Sequence, residues 1–220
     1  MTRPAWLDEI VEGIATLDPA EFRMSLPPED GTSRLSSVLM LFADSDDGPD
    51  ILLTERAHDM RSHPGQVSFP GGSLDPGETV HEAAFREARE EVGLDPSGVE
   101  IIGELPELYL PPSNFIVTPV VAWWHEPAVV HPVSPAEVHA VYRVPVSELR
   151  DPANRVRVQS PNNPNWIGPG FLIGPGKDVL LWGFTGGIIA RFLTHLGWIE
   201  NVPDAPIAPL PGYMLRGRER

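Results

Sequence analysis

A chain of 220 residues, 41% hydrophobic and 21% charged, can bury one sizeable core and is read as one principal domain. Its net charge of −15 argues against general nucleic-acid binding, since a phosphate backbone would be repelled, but not against a small phosphorylated substrate arriving with divalent cations. With no cysteine, disulfides, thiolate metal sites and a cysteine nucleophile are excluded. No apolar run has membrane-spanning length and no basic-then-apolar leader opens the chain, so no membrane partner is expected and a cytoplasmic location is the default.

In chain order, Pro4 to Leu17 reads as an amphipathic helix, with Trp6, Leu7, Ile10, Val11 and Ile14 at helical spacing. Asp18 to Gly31 reads as a connector. Arg34 to Ala43 and Ile51 to Arg56 read as strands of a hairpin about the acidic turn Asp44 to Gly48. That turn lacks the spacing and closing Glu of a calcium loop. Ala57 to Ser68 reads as a polar loop leading into Phe69-Pro70-Gly71-Gly72. Beyond Leu94, strands are expected at Val99 to Leu108, Phe115 to Trp124 and Val138 to Val144, with a turn at Pro111 to Asn114. Ser147 is placed to cap a short helix from Glu148. Asp151 to Gly176, rich in Pro, Asn and Gly, reads as irregular. A short strand at Asp178 to Leu181 precedes a helix over Trp182 to Leu196. The Pro-rich tail, ending in Arg216, Arg218 and Arg220, reads as extended. Strands, helix, strands and helix in that order predict an α/β/α sandwich with a mixed sheet between helices.

The central stretch is Gly71 to Leu94. Thr79 and Glu82 have the spacing of a capping box, and Gly93 stands where a left-handed glycine ends a helix. At 100° per residue, Val80, Ala83 and Ala84 fall on one side, and Glu87, Glu90 and Glu91 continue that side. Phe85, Ala88 and Val92 form a neighbouring apolar strip. Glu82 and Arg89 face away, with Arg86 beside them. A plain surface helix would put its carboxylates opposite the apolar stripe, solvated and paired with Arg86 and Arg89. Carboxylates crowded along the stripe repel unless a cation neutralises them. Oxygen ligands at spacings of three and four suit Mg²⁺ or Mn²⁺.

Gly72, five residues, Glu78, seven residues, Arg86-Glu87, two residues, Glu90-Glu91, one residue and Gly93 match the Nudix box, and the sequence resembles a Nudix hydrolase. Ala88 departs from the family's usual larger aliphatic residue. Upstream, Leu52 to Gly72 resembles the additional signature of the coenzyme A pyrophosphatases within that family. The matching residues are Leu52-Leu53-Thr54, Arg56, Ala57, Arg61, Gly65 and Phe69-Pro70-Gly71-Gly72. The resemblance implies a Nudix domain over residues 31–199, between an N-terminal helix and connector (1–30) and a tail (200–220).

By the same resemblance, Glu87 and Glu91 are the main metal ligands. Glu90 is a further ligand or the acceptor of the water proton, and Arg86 is the residue that orients the cluster through Glu78 or Glu90. Arg56, Arg61, Gly65, Phe69, Gly71 and Gly72 are the implied substrate-binding residues, and His58 and His63 are read as loop packing. The implied reaction is hydrolysis of the phosphoanhydride of coenzyme A, or of a derivative, to 4′-phosphopantetheine and adenosine 3′,5′-bisphosphate. A homodimer is compatible with this reading. The alternatives are a Nudix hydrolase acting on ADP-ribose or NADH, and a nucleotide sensor without catalysis.

Overall fold

The computed structural model describes residues 3–215 except 24, 29, 112, 162 and 164, so Arg216, Arg218 and Arg220 lie outside the described residues. The helices are α1 (Ala5–Thr16), α2 (Pro19–Phe22), α3 (Val80–Val92), α4 (Val146–Arg150) and α5 (Gly183–His195). The strands are β1 (Arg34–Ser45), β2 (Gly48–Arg56), β3 (Val67–Ser68), β4 (Gly71–Ser73), β5 (Val99–Glu104), β6 (Leu108–Leu110), β7 (Phe115–Trp124), β8 (Val138–Pro145), β9 (Arg155–Gln159), β10 (Ile167–Ile173) and β11 (Val179–Leu181). The chain divides into two compact units. One holds the described residues up to Asp44 with Phe69–Val133, the other Ser45–Ser68 with the described residues from Ser134 onward. Among the described residues no helix is long and apolar enough to cross a membrane.

The first unit carries a mixed sheet. Strand β1 runs parallel to β7, while β4 pairs antiparallel with β1, and β5 and β6 pair antiparallel with β7. Side chains alternate along β1, so its two faces can be followed separately. Phe42 lies on one face with its ring 6.3 Å from Trp6 of α1, and Trp6 Nε1 donates to Asp44 Oδ1 at 3.0 Å. Ser37 lies on the other face, opposite Gly72, whose Cα faces Glu87 of α3. Helices α1 and α3 therefore cover opposite faces, and the unit is the α/β/α arrangement that the sequence predicts. Leu7 and Ile10 of α1 are fully buried, whereas Val11 is 38% exposed and lies off the packing stripe.

The second unit pairs β2 antiparallel with β3 and β8, and adds the antiparallel sheet β9–β10–β11. Here several sequence expectations are corrected. The loop over Ala57 to Ser68 ends in a strand, with Val67 and Ser68 opposite Glu55 and Thr54. The segment from Asp151 to Gly176 is not irregular, since it contains β9 and β10. Helix α4 begins at Val146 behind Pro145 with no side-chain cap, so Ser147 does not cap it. The tail is packed as far as Leu215. Arg157 N–H donates to Pro206 O at 2.8 Å and Ala208 N–H to Arg157 O at 2.9 Å. Met214 is 1% exposed in a core with Val156, Val158, Leu180 and Trp182. In the first unit, the strand expected at Val99 to Leu108 is interrupted after Glu104 and resumes as β6.

Candidate active site

Helix α3 is built from local signals. Thr79 accepts from the Glu82 N–H and the Glu82 carboxylate accepts from the Thr79 N–H, so a capping box satisfies two amides that the helix cannot. Gly93 closes the helix at φ 72°, a conformation that glycine adopts without a Cβ penalty. Ala83, Ala84, Ala88 and Val92 are buried against the sheet. The small Ala88, where the family's box usually has a larger residue, is fully buried at 0% exposure.

The glutamates do not share one environment. Glu87 and Glu91 are half-buried, with Glu91 Oε2 fully shielded, whereas the Glu90 side chain is 60% exposed. Glu90 thus reaches solvent where Glu87 and Glu91 are shielded. Arg86, expected on the outward side, is only 22% exposed and is the hub of the site. Its Nε and Nη2 donate to the two oxygens of Glu78 at 2.9 and 3.0 Å, a bidentate clamp. Its Nη1 donates to Glu87 Oε1 at 2.9 Å and to Glu90 Oε2 at 3.4 Å, and Nη2 also donates to Ser73 O at 3.0 Å. Glu78 in turn accepts from the Asp75 N–H at 2.9 Å, which ties the β4–α3 loop to the helix.

The charges follow from these contacts. Arg86 is held protonated, first by its bond to Glu78. The same bond lowers the pKa of Glu78. Burial pushes the Glu87 carboxyl upward despite Arg86 beside it. The molecule therefore keeps a partly desolvated carboxylate with a strong affinity for positive charge. Glu87, Glu90 and Glu91 supply oxygen donors only, the donor set preferred by hard dications.

Strand β4 brings the glycines of the preceding loop onto this face. A Cβ on Gly72 would overlap the Glu87 carboxylate, and a Cβ on Gly71 would overlap Ser37 O. Neither glycine has a positive φ, so close approach, not backbone conformation, excludes a side chain. Ser36 Oγ donates to Gly72 O at 2.8 Å and Leu39 N–H donates to Pro70 O at 2.8 Å, fixing the strand. Ser37 Oγ is buried on the same face with no hydrogen-bond partner among the described residues. Phe69 is 2% exposed, so its ring is a core side chain.

The rest of the upstream signature lies in the second unit. Arg56 is half-buried at the end of β2, and its Nε is buried without a hydrogen-bond partner among the described residues. Arg61 is exposed. Gly65 has φ 64°, and a Cβ there would overlap the ring of Tyr213. Sequence reasoning missed what surrounds it: Tyr213 stacks on His58 at 4.1 Å, and His58 contacts Glu55 and His139. The spacing Glu55-x-x-His58 was a visible signal, but the parts played by His139, Tyr142 and Tyr213 depend on tertiary structure.

The fold and the carboxylate array define a class, an α/β/α sandwich whose mixed sheet is faced by an acidic helix. The NUDIX domain model matches residues 33–165, and the chain belongs to the Nudix family. It is similar to Nudix hydrolase 3 of Caenorhabditis elegans, 38% identical over 144 residues, covering 64% of this chain and 60% of that protein. It is also similar to the protein named "Uncharacterized Nudix hydrolase NudL" of Enterobacter sp. (strain 638), 40% identical over 152 residues, covering 68% of this chain and 76% of that one. Among solved structures, a MutT/nudix family protein from Enterococcus faecalis shares the fold, with a TM-score of 0.51 and 14% identity, covering 89% of this chain and 76% of that one. The matched region spans about 60% of the worm relative's length.

Proposed function

We propose that the chain hydrolyses the phosphoanhydride of coenzyme A, or of a coenzyme A derivative, in a divalent-metal-dependent reaction. The products are 4′-phosphopantetheine and adenosine 3′,5′-bisphosphate. The observation that carries the hydrolase reading is the array in which Arg86 binds Glu78, Glu87 and Glu90 while the backbone of Gly72 approaches the Glu87 carboxylate. Residues 31–199 form the proposed catalytic domain, and the matched 33–165 falls within it.

Glu87 and Glu91 would hold Mg²⁺ or Mn²⁺. Such an ion supplies charge neutralisation at the phosphates and a more acidic water. The protein's own residues do the rest. Arg86 fixes the Glu87 carboxylate through its Nη1 and remains charged throughout, because its bidentate bond to Glu78 does not depend on Glu87. Gly72, with no side chain, lets the Glu87 carboxylate lie directly against the strand. Glu90, exposed and held by Arg86 only at 3.4 Å, has the freedom to accept the proton of the attacking water or to add a ligand oxygen.

The substrate class rests on the signature residues between Leu52 and Gly72. Coenzyme A carries a 3′-phosphate beyond its pyrophosphate, so extra cationic groups are required. Arg56, with a shielded Nε that lacks an acceptor among the described residues, and the exposed Arg61 are the candidates. Arg56→Ala and Arg61→Ala should each lower kcat/KM for coenzyme A by about tenfold to a hundredfold, the value of a charge-assisted contact of ~1.5–3 kcal/mol. Dephospho-coenzyme A, which lacks the 3′-phosphate, should be turned over unchanged. Equal losses on both compounds would place these arginines on the pyrophosphate instead. A wild-type enzyme indifferent to the 3′-phosphate would leave a Nudix hydrolase of broader substrate range.

A further inference from the structure

In the second unit, far along the sequence from the box glutamates, Glu55, His58 and His139 each direct one ligand atom into a common space, with these atoms all within 4.8 Å of one another. The arrangement is built rather than incidental. Glu55 lies on β2 with a side chain only 4% exposed. Both of its oxygens are engaged, Oε2 by the hydroxyl of Tyr142 at 2.6 Å and Oε1 by Nε2 of His58 at 2.7 Å. His58 lies three residues further on, and its ring is packed between His139, at 4.3 Å, and Tyr213, at 4.1 Å and 6° from parallel.

The third ligand is delivered by a defect in the sheet. Glu55 pairs with Ala140 of β8, but the next residue, Arg56, pairs with Val138. His139 is therefore the extra residue of a β-bulge. In an unbroken ladder its side chain would alternate to the face opposite Ala140 and Glu55. A bulge re-aims such a side chain, and here the imidazole reaches Glu55 and His58. His139 is exposed, so the open side of the cluster faces solvent.

We propose that Glu55, His58 and His139 form a binding site for a borderline divalent cation of the zinc type, with ligands other than the carboxylates of α3. Two imidazoles and one carboxylate are the donors that such an ion prefers, and three protein ligands leave a fourth position for water or an exogenous ligand. Bond lengths of about 2.0–2.2 Å require ligand atoms roughly 3.3 Å apart. The Glu55–His58 hydrogen bond would open slightly, and the exposed His139 would close in. Tyr142, whose hydroxyl is kept protonated by burial and by Glu55, is the positioning residue that orients the carboxylate. The ion would also fix His58 beneath Tyr213 and so tie the signature loop to the packed tail.

The test uses the full chain, stripped with chelator and titrated with Zn²⁺ against a chromophoric competitor, with Tm as a second readout. One zinc should bind with a Kd that Mg²⁺ in large excess does not change, and it should raise Tm. His139→Ala, at an exposed position, should fold normally and lose the site. Tyr142→Phe should weaken binding about tenfold to a hundredfold. The Glu87→Gln, Glu91→Gln double variant should bind zinc as the wild type does. This result separates failure of the present proposal from failure of the hydrolase reading. No zinc binding by the wild type, equal binding by His139→Ala, or loss of binding in the box double variant would each overturn the proposal.

Discussion

Glu87 and Glu55 are both glutamates drawn out of bulk water, with side chains 18% and 4% exposed, and the two units neutralise them by different means. Glu87 is one of several carboxylates sharing a single arginine, on a helix whose neighbouring groups are oxygen donors. Glu55 is a carboxylate held by a phenol and an imidazole, with a second imidazole brought in by a bulge. Burial of a carboxylate therefore does not by itself name its counter-ion. The surrounding donors do: oxygen-only sets suit hard ions that bind phosphates, while imidazole-rich sets suit borderline ions.

The largest effects should come from breaking the oxygen set. Glu91→Gln or Glu87→Gln should remove most hydrolysis, more than the roughly 10–100-fold that loss of a supporting partner costs. Circular dichroism should show an intact fold. If the same losses followed His139→Ala and not the box substitutions, the comparison would be inverted. A smaller effect is expected from Gly72→Ala. Its methyl would collide with the Glu87 carboxylate and displace it, so activity should fall about tenfold to a hundredfold while Tm changes little. A fully active Gly72→Ala enzyme would show that Glu87 need not sit where the structure puts it.

The reach of sequence reasoning divides along the same lines. Helix α3 was legible from end to end because its cap, its glycine stop and its carboxylate spacing are local, and the mixed α/β layering followed from element order. Arg86 was misplaced because a wheel assigns direction by angle alone, whereas the long side chain bends back to four acceptors. Strand β10 was hidden by its glycines and Pro169, and β9, which has no glycine, by the Pro and Asn residues that flank it. At Gly170 a Cβ would press on Val156 and Val158, and at Gly168 it would overlap the ring of Trp166, so these glycines are packing choices within strands rather than breakers. The tail looked extended because nothing local reveals that Met214 fills a core or that Arg157 pairs with the backbone near Ile207.

The smallest effect is thermodynamic. Burial raises the Glu87 pKa above its ordinary 4.5, so the fold favours the protonated form. That contribution to stability is complete below the ordinary value and is lost as pH rises through the raised one. Glu87→Gln should therefore increase the Tm of chelator-treated protein at neutral pH, and the gain should vanish below about pH 4.5 in calorimetry. A lower Tm for Glu87→Gln at neutral pH would mean that attraction to Arg86 outweighs desolvation.

The proposed activity is a metal-dependent cleavage of the coenzyme A phosphoanhydride by the α3 carboxylates. The direct measurement is mass-resolved product analysis after incubating the wild type with coenzyme A, ADP-ribose and NADH, each with Mg²⁺, with Mn²⁺ and with excess chelator. Release of 4′-phosphopantetheine and adenosine 3′,5′-bisphosphate from coenzyme A should be the fastest reaction, present with either metal and abolished by chelator. Turnover that persists in excess chelator, or coenzyme A left intact while another substrate is cleaved, would contradict it.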